Sequence, residues 1–584
     1  MSPINFQPIL SSDFPGYEEF ASKVLCPIFN TYYQPLSADV ILYNYGDNNP
    51  MAEKAHIRSI IHKATINPTD GYANFDPIEV YDITMDDNCR LAQSRVGIQQ
   101  YIRSINFPSS HAFLVFHYET VVGRSWRFSY FYKKETVASV TDSKRYTYLF
   151  GKGTSSRTAN ERFNELLKIT SANWELGSHK ANDKIHIFTN EDITSAFSVE
   201  ALSDEFFYKY LGYYASFVKY LTGKPTAKES GEHAIKEAAF RRVVSDMDKL
   251  GVKDNRDQFK HSFLPRFKSE EECEKAICDY VKKMMGRVVF LHFLQKKGWM
   301  CGDRDFMYHL FDNSSLKDDF LDRVLEPLFF VILNTHPDDR LEVCRRHNDK
   351  IQWEPGKLVE WDESLVESWH DIPYLNGGLF EQEKIDECRS IFPAEYFEKF
   401  LDFFRQYNFT IDENDPNDVE VGVDPEMLSK IFENLLEDNK EKGAFYTPKE
   451  IVSYMCSESL IAYLGQYCKD GEWNEEFIRK FVTDPSVNEH LTQRQREEMI
   501  NALVQVQVCD PAIGSGAFPM GMLNLIARCR GELEDTSMSD IKRHIIQNNI
   551  FGVDIEQGAV DIARLRFWLS LVVDETEPHA LPNS

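Results

Sequence analysis

No stretch of the sequence approaches the roughly 20 consecutive apolar residues that a membrane-spanning helix needs, so no membrane partner is expected. The opening MSPINFQPILSSDFPG lacks the basic region followed by an apolar run that marks a secretory signal. Cysteines are scattered. The nearest pair, Cys273 and Cys278, has four residues between, and Cys-x-x-Cys does not occur. That excludes a zinc module or a disulfide framework and fits a reducing cytoplasm. Positive charge is also scarce: 65 Lys+Arg against 92 Asp+Glu leave a formal charge of −27. Such a balance argues against a protein that coats nucleic acid along its whole surface. Internal repeats and low-complexity tracts do not occur.

What is present is globular. Of the 584 residues 42% are apolar and 13% aromatic, enough to bury cores, and the length predicts about three domains. Residues 1–195 read as mixed α/β. DVILYNYG ends in a Gly-Asp-Asn-Asn-Pro turn, and strands are expected at 78–84, 112–119 and 126–132, the last two joined by a hairpin at TVVGRS. Helices are expected at Leu91–Ile105 and over SSRTANERFNELLKI. Residues 196–420 read as helical, with aromatics at helical spacing forming a bundle core. One helix there begins after Ser269 with Glu270, Glu271 and Glu272 in its first turn and stops at Gly298. His370-Asp371 reads as a cap arrangement rather than a catalytic pair. Residues 421–584 alternate helix and strand. Asp424-Pro425 and Thr447-Pro448 each open a helix, LVQVQVCD is a strand with Val504, Val506 and Val508 on one face, and IFGVD is a second strand. The helix after IFGVD carries Val560, Ala563, Phe567 and Leu571 on one face, and the order suits the start of a doubly wound parallel sheet.

The segment with chemistry is Cys509-Asp510-Pro511-Ala512-Ile513-Gly514-Ser515-Gly516-Ala517-Phe518. An acidic residue closes a strand, two glycines let a ligand approach the backbone, and a helix N-terminus follows. The third glycine of the dinucleotide fingerprint is missing. An aspartate ahead of the glycines suits a cationic ligand group such as an ammonium.

DPAIGSGAF resembles motif I of S-adenosylmethionine-dependent DNA methyltransferases, with Ile513 where cysteine is usual. Gly443-Ala444-Phe445-Tyr446-Thr447-Pro448 resembles their motif X, and Phe551-Gly552-Val553-Asp554-Ile555 resembles motif II. The order X, I, II is similar to that of gamma-class, adenine-N6-specific enzymes of the type IIG restriction–modification and BREX-like phage-defence families. GRVVFLHFLQKKGW, IPYLNGGLFE and DPEMLSKIFENLLE are similar to further blocks of these enzymes. The likeness is strongest from about residue 280 onward.

The resemblance implies a Rossmann-like class I methyltransferase domain over 421–584, incomplete, behind a helical connector at 196–420. It implies S-adenosyl-L-methionine as cofactor and double-stranded DNA as partner. Asp510 would bind the methionine ammonium, while Pro511, Ala512, Gly514, Ser515, Gly516 and Phe518 would form the loop that the cofactor approaches. Asp554 would hold the ribose hydroxyls and Ile555 would pack on the adenine. Phe445, Tyr446, Thr447 and Pro448 would close over the methionine end. The bland readings are a helix cap for Asp554 and an ordinary strand–helix turn for the glycines. The family's catalytic [Asn/Asp/Ser]-Pro-Pro-aromatic motif does not occur in the sequence, nor does a target-recognition domain. No catalytic residue is therefore assigned. The chain is expected to be part of a longer or split enzyme and inactive alone. The alternative readings are a cofactor-binding or DNA-clamp subunit that needs a partner chain or other defence proteins, and a type IIG endonuclease.

The last alternative would need a metal-dependent nuclease in residues 1–195, with Mg2+. Asp82, Glu119, Lys133 and Lys134 are its only candidates, and no Glu-x-Lys lies on the strands. The same zone holds, between Arg95 and Lys168, twelve Lys/Arg against five Asp/Glu, threaded with aromatics. Arg124, Trp126, Arg127, Lys144 and Arg145 are its DNA-contact candidates. The other reading of this stretch is a solvated face above an aromatic core.

Overall fold

The computed structural model describes residues 3–87, 89, 98, 101–102, 104–105, 107–120, 124–134, 142–175, 186–229, 234–351, 358–375, 378–410, 418–427, 430–431, 447–468 and 473–575. The architecture is α/β. Two compact units are formed: Met1–Asp204 with Phe403–Asn408 and Asn414–Val423, and Glu205–Asp402 with Phe409–Glu413 and Asp424–Ser584.

The first unit is built on a seven-stranded sheet in the order β1 (Tyr33–Asn44), β2 (Ile57–Ile66), β3 (Ile78–Met85), β4 (His111–Tyr118), β5 (Trp126–Lys134), β6 (Asp142–Phe150) and β7 (Asp418–Glu420). The β3–β4 and β6–β7 pairings are parallel and the others antiparallel. The strands expected at 78–84, 112–119 and 126–132 are β3, β4 and β5. β4 and β5 pair antiparallel as a hairpin does, although residues 121–123 of its turn lie outside the described ones. Both faces are covered. On one, Tyr81, Ile83, Leu114, Phe116 and Phe131 pack with Ile98, Tyr101 and Ile102, whose spacing is that of the helix expected there. Most of that expected helix lies outside the described residues. On the other face Phe113, Phe128 and Tyr148 meet Phe197, with Phe163 of α1 (Arg157–Glu175) beside Phe128 and Tyr148.

β1 is the sheet's edge. Its register against β2 shifts between Pro35 and Val40 and again between Ile41 and Tyr43, and Val40 and Ile41 are exposed.

The second unit begins as a helical assembly. In α2 (Val199–Thr222) Tyr210, Tyr213 and Phe217 pack against Phe400, as the aromatic periodicity predicts. α3 (Glu270–Lys297) starts where Ser269 Oγ accepts from the Glu272 amide at 3.1 Å and ends at Gly298, φ +83°. It carries a buried cation. Arg287 pairs with Asp386 (3.0 Å) and donates Nε to the Leu379 carbonyl (2.7 Å) and Nη2 to that of Glu381 (3.1 Å). A buried arginine needs its donors satisfied, and here the loop through Gly378–Glu381 and the Asp386 carboxylate share the accepting.

The rest of the unit runs α4 (Lys449–Tyr467), α5 (Gln493–Gln505), β8 (Val508–Asp510), α6 (Ala517–Leu533), α7 (Met538–Asn548), β9 (Ile550–Gly552) and α8 (Gln557–Asp574). β8 and β9 pair in parallel, with Asp510 opposite Gly552. Helix–strand alternation across parallel neighbours is the Rossmann-like arrangement expected. Ala563, Phe567 and Leu571 of α8 enter the core, with Val560 packed against it.

Two expectations need correction. LVQVQVCD is not one strand. α5 continues to Gln505, and only Val508–Asp510 is extended. A capping box between Thr492 and Gln495 starts the helix, and burial of Met499, Ala502 and Leu503 carries it through the alternating valines. α4 begins at Lys449, with Pro448 in the cap position and no side-chain cap from Thr447. Lys449 instead pairs with Asp424 (3.0 Å) and Glu426. The helix expected after Asp424 lies largely outside the described residues.

A buried acid near α3 sets a pH dependence. Burial raises the Asp322 carboxyl from 3.8 to about 7, opposed by the Ser390 amide and by Arg389. Burial raises Glu326 as well. A group whose pKa is higher in the folded state contributes stability that is complete below about pH 4 and is lost as pH rises through 7. His292, lowered to about 4 by burial, works oppositely between pH 4 and 6.5. Asp322→Asn should therefore shrink the loss of stability between pH 5 and 8 by roughly 2 kcal/mol. Thermal midpoints at the two pH values test this, and an unchanged gap in the variant would contradict it.

Candidate functional site

Three short pieces of backbone converge where β8 and β9 end. The pairing does not stop at Gly552. The Val553 amide donates to the Asp510 carbonyl (3.0 Å), and the Ile513 amide donates back to the Val553 carbonyl (3.0 Å). The loop after β8 is thereby folded against the chain after β9. Two glycines shape it. Gly514 has φ +54° and Gly516 φ +85°, a region open to glycine at little cost. The Gly516 amide closes a turn onto the Ile513 carbonyl at 2.9 Å, and α6 starts at once.

Both aspartates are organised by this backbone. Asp510 Oδ1 accepts from the Ala512 amide (3.1 Å). Asp554 Oδ2 accepts from the Gly514 amide (2.8 Å) and Oδ1 from the Glu556 amide (2.9 Å). Asp554 therefore combines a cap-like bond with a tie across to the glycine loop. Each carboxylate oxygen keeps lone-pair capacity for a further donor. Ile555 is 90% exposed beside it. A Cβ on Gly514 would meet nothing within 4 Å, so that side of the loop is open. The opposite side is tight. A Cβ on Gly516 would lie 3.0 Å from Ala563 Cβ, and one on Gly552 would lie 2.2 Å from Ile513 Cδ1.

Pro511 and Ala512 are exposed at the loop's crest, Ser515 is buried, and the half-buried Phe518 packs toward the core. Thr447 and Pro448 precede α4. A Cβ on Gly521 would sit 2.7 Å from Val452 Cγ1, so α4 and α6 touch within about one turn of their N-termini. The start of α4 is thus brought to the glycine-loop end of α6. Phe445 and Tyr446 lie outside the described residues.

Two supports carried weaker sequence signals. Asn549, fully buried, donates Nδ2 to the Val504 (3.0 Å) and Val506 (2.6 Å) carbonyls and so fixes the approach to β8. Arg566, 3% exposed, donates Nη1 to the Ser515 carbonyl at 2.8 Å. Of the two arginines of α8, Arg564 and Arg566, only the second is flanked by the apolar run Phe567–Leu569, and that was the available sign of the latter.

The candidates of the first unit are dispersed. Trp126, 1% exposed, donates its indole N–H to the Ser12 carbonyl (3.1 Å). Arg127 and Arg145 are buried, Arg127 in an ion pair with Glu420 (3.1 Å) and Arg145 over the Phe116 ring. Arg124 is exposed and donates to the Asp87 carbonyl (2.8 Å), and Lys144 is half-buried. The nuclease candidates are not assembled. Asp82 bonds His117 Nε2 (2.9 Å) beside Val115, and Glu119 lies beyond β4. Lys133 and Lys134 end β5 beside the opposite end of β4, where the Lys133 amide donates to the Ser110 carbonyl. At about 3.3 Å per residue, the five positions from Val115 to Ser110 put Asp82 roughly 17 Å from Lys133 along the strand direction, and Glu119 lies farther still. Among the described residues no cluster of three or more His, Cys, Asp or Glu could hold a metal ion.

No family model matches the chain. Over 310 residues, half of this chain, it is 29% identical to a Methanocaldococcus jannaschii protein described as a type II restriction enzyme and methyltransferase. The match covers 24% of that protein, so the chain spans about a quarter of its length. Among solved structures it is similar to the type IIL restriction–modification enzyme MmeI in complex with DNA. The identity is 18%, 52% of this chain and 36% of that one are covered, and the TM-score is 0.32.

The close approach at Gly552 generates a prediction. Gly552→Ala should destabilise the second unit by about 1–3 kcal/mol through overpacking on Ile513. Adding Ile513→Val, which deletes the obstructing methyl, should restore part of the loss. A thermal melt in which the double variant is no better than Gly552→Ala would refute the contact.

Proposed function

We propose that the chain is the cofactor-binding part of a site-specific, adenine-N6 DNA methyltransferase of a restriction–modification or phage-defence system, with S-adenosyl-L-methionine as methyl donor. The observation that carries the reading is the tie between Asp554 and the Gly514 amide. With the bond from the Ala512 amide to Asp510, it sets two acidic groups, one at the end of β8 and one two residues past β9, against a single glycine loop that is open on its outer side. The likeness to a restriction enzyme and methyltransferase over half the chain supports the same class.

The residues fit the group. Asp510 would accept from the methionine ammonium, and the backbone from Ala512 to Gly516 is bare enough for van der Waals approach. Asp554 would accept from the ribose diol while keeping its bonds to Gly514 and Glu556. Ile555 offers the adenine an exposed apolar surface, and Thr447 and Pro448 stand at the methionine end. When bound, the cofactor supplies a methyl group made electrophilic by its sulfonium. The protein's part is to fix that methyl in space. No Pro-Pro-aromatic motif occurs in the sequence, and no residue of it is assigned the target-base contacts. Functionally we divide the chain into an N-terminal domain (1–195), a helical connector (196–420) and the cofactor part (421–584).

Isothermal titration with S-adenosylmethionine tests the reading. The purified chain should bind it, and Asp510→Ala and Asp554→Ala should each weaken binding at least about tenfold, the loss of one charged hydrogen bond. No heat of binding from the unaltered chain would overturn it.

Double-stranded DNA is the proposed partner. Of the five contact candidates, exposed Arg124 and half-buried Lys144 are the ones positioned to reach a phosphate, whereas Trp126, Arg127 and Arg145 serve the core. Arg124→Glu with Lys144→Glu should lower affinity for duplex DNA and flatten its salt dependence by about two charges. Fluorescence anisotropy with a labelled duplex at several salt concentrations measures both. An unchanged slope would remove these residues from the interface.

A further inference from the structure

α8 is covered on both long faces. Ala563, Phe567 and Leu571 join the core around α6. Ile562, Leu565, Leu569 and Val572 are buried too, as is Trp568, which packs on Phe290 (5.6 Å) and Trp299 (5.6 Å). Two charged residues of this helix, Asp561 and Arg566, are buried among its apolar ones, whereas Arg564 is exposed, and each of the buried pair abuts a loop.

On one side lies Gly378. A Cβ there would stand 2.6 Å from Asp561 Oδ1 and 3.1 Å from its Cγ. The loop cannot easily retreat, because Arg287 holds the Leu379 and Glu381 carbonyls and Phe380 is wedged against Phe290 and Phe329. On the other side lies the glycine loop. Arg566 holds the Ser515 carbonyl, and Ala563 fills the space that a Cβ on Gly516 would need. Ser515 precedes the cap residue Gly516, so its carbonyl lies outside the hydrogen-bond ladder of α6 and requires another donor. Holding that carbonyl orients the 515–516 peptide plane, whose N–H closes the turn onto Ile513. Lys297 of α3 donates to the Val573 carbonyl (2.9 Å) and ties down the far end of α8.

We propose that α8 is a rigid spacer that sets the glycine loop from the 378–381 loop, with Asp561 and Arg566 as positioning residues for a cofactor they do not touch. The ligand in this proposal rests on the cofactor reading above. A packed helix held on both sides passes on displacement at one contact rather than absorbing it. The helical connector therefore acts on cofactor affinity through Gly378.

Two measurements on the whole chain test this. Hydrogen exchange over residues 510–520 needs no cofactor. Gly378→Ala should speed exchange there about fivefold or more, and unchanged exchange would overturn the spacer whatever the ligand proves to be. Titration with S-adenosylmethionine gives the second readout. Arg566→Met should weaken binding about tenfold and Arg566→Lys by less. Gly378→Ala should weaken it severalfold but add little in the Arg566→Met background, since both act through one element. Fully additive losses, or binding by Arg566→Met within about twofold of the unaltered chain, would overturn the proposal. If Arg566→Met does not fold, Arg566→Lys with Gly378→Ala completes the same cycle. Absence of binding by the unaltered chain counts against the cofactor reading and leaves the exchange result to decide the spacer.

Discussion

The pairing of β8 with β9 is three residues long, and the candidate site exists because of it. Two strands this short do not hold together in water by their own hydrogen bonds. They are held because the flanking helices share one apolar core, in which Leu460, Leu523, Ile526, Ile541 and Ile545 are buried alongside Ala563. The register places Asp510 opposite Gly552 and leaves Asp554 two residues beyond, beside the loop that follows Asp510. A slip by one residue would turn every side chain to the other face and separate the two carboxylates. Gly552 guards that register, since Ile513 fills the place of any side chain there.

Much of this site was legible in the sequence because its parts are local. An acidic residue, two glycines and an ensuing apolar helix within ten positions specify a strand–turn–helix, and IFGVD specifies the neighbouring strand. The extent of β8 was not legible. Val504, Val506 and Val508 alternate as a strand does, yet a helix begun eleven residues earlier at a capping box runs into the alternation, and tertiary burial decides where it stops. Arg566 was not legible either. Nothing local says that an arginine in an apolar helix will meet a carbonyl 51 residues away.

The first unit gives the converse case. β3, β4 and β5 are visible in the sequence as apolar and aromatic runs. The positive excess beside them suggested a binding face, but in the fold Arg127 is buried in an ion pair with Glu420 and Arg145 is buried over the Phe116 ring, with Ser129 and Thr147 bonded to each other between them (2.7 Å). Charge counted along a strand does not distinguish inward from outward positions unless the pleat is known. β7, more than 260 residues downstream of β6, supplies Glu420 as the partner of Arg127, a non-local pairing that no window of the sequence contains.

The two register shifts of β1 have a consequence for association. An edge strand with exposed Val40 and Ile41 resembles a template on which another extended chain could grow. Hydrogen-bonded growth needs an unbroken row of evenly spaced amides, and β1 changes spacing between Pro35 and Val40 and again between Ile41 and Tyr43. Pro35 contributes no N–H, and Asp39, paired with Lys63 (2.7 Å), puts a charge within the longer interruption. What is left is an interrupted row, so a border that exposes apolar side chains offers a poor template for hydrogen-bonded growth.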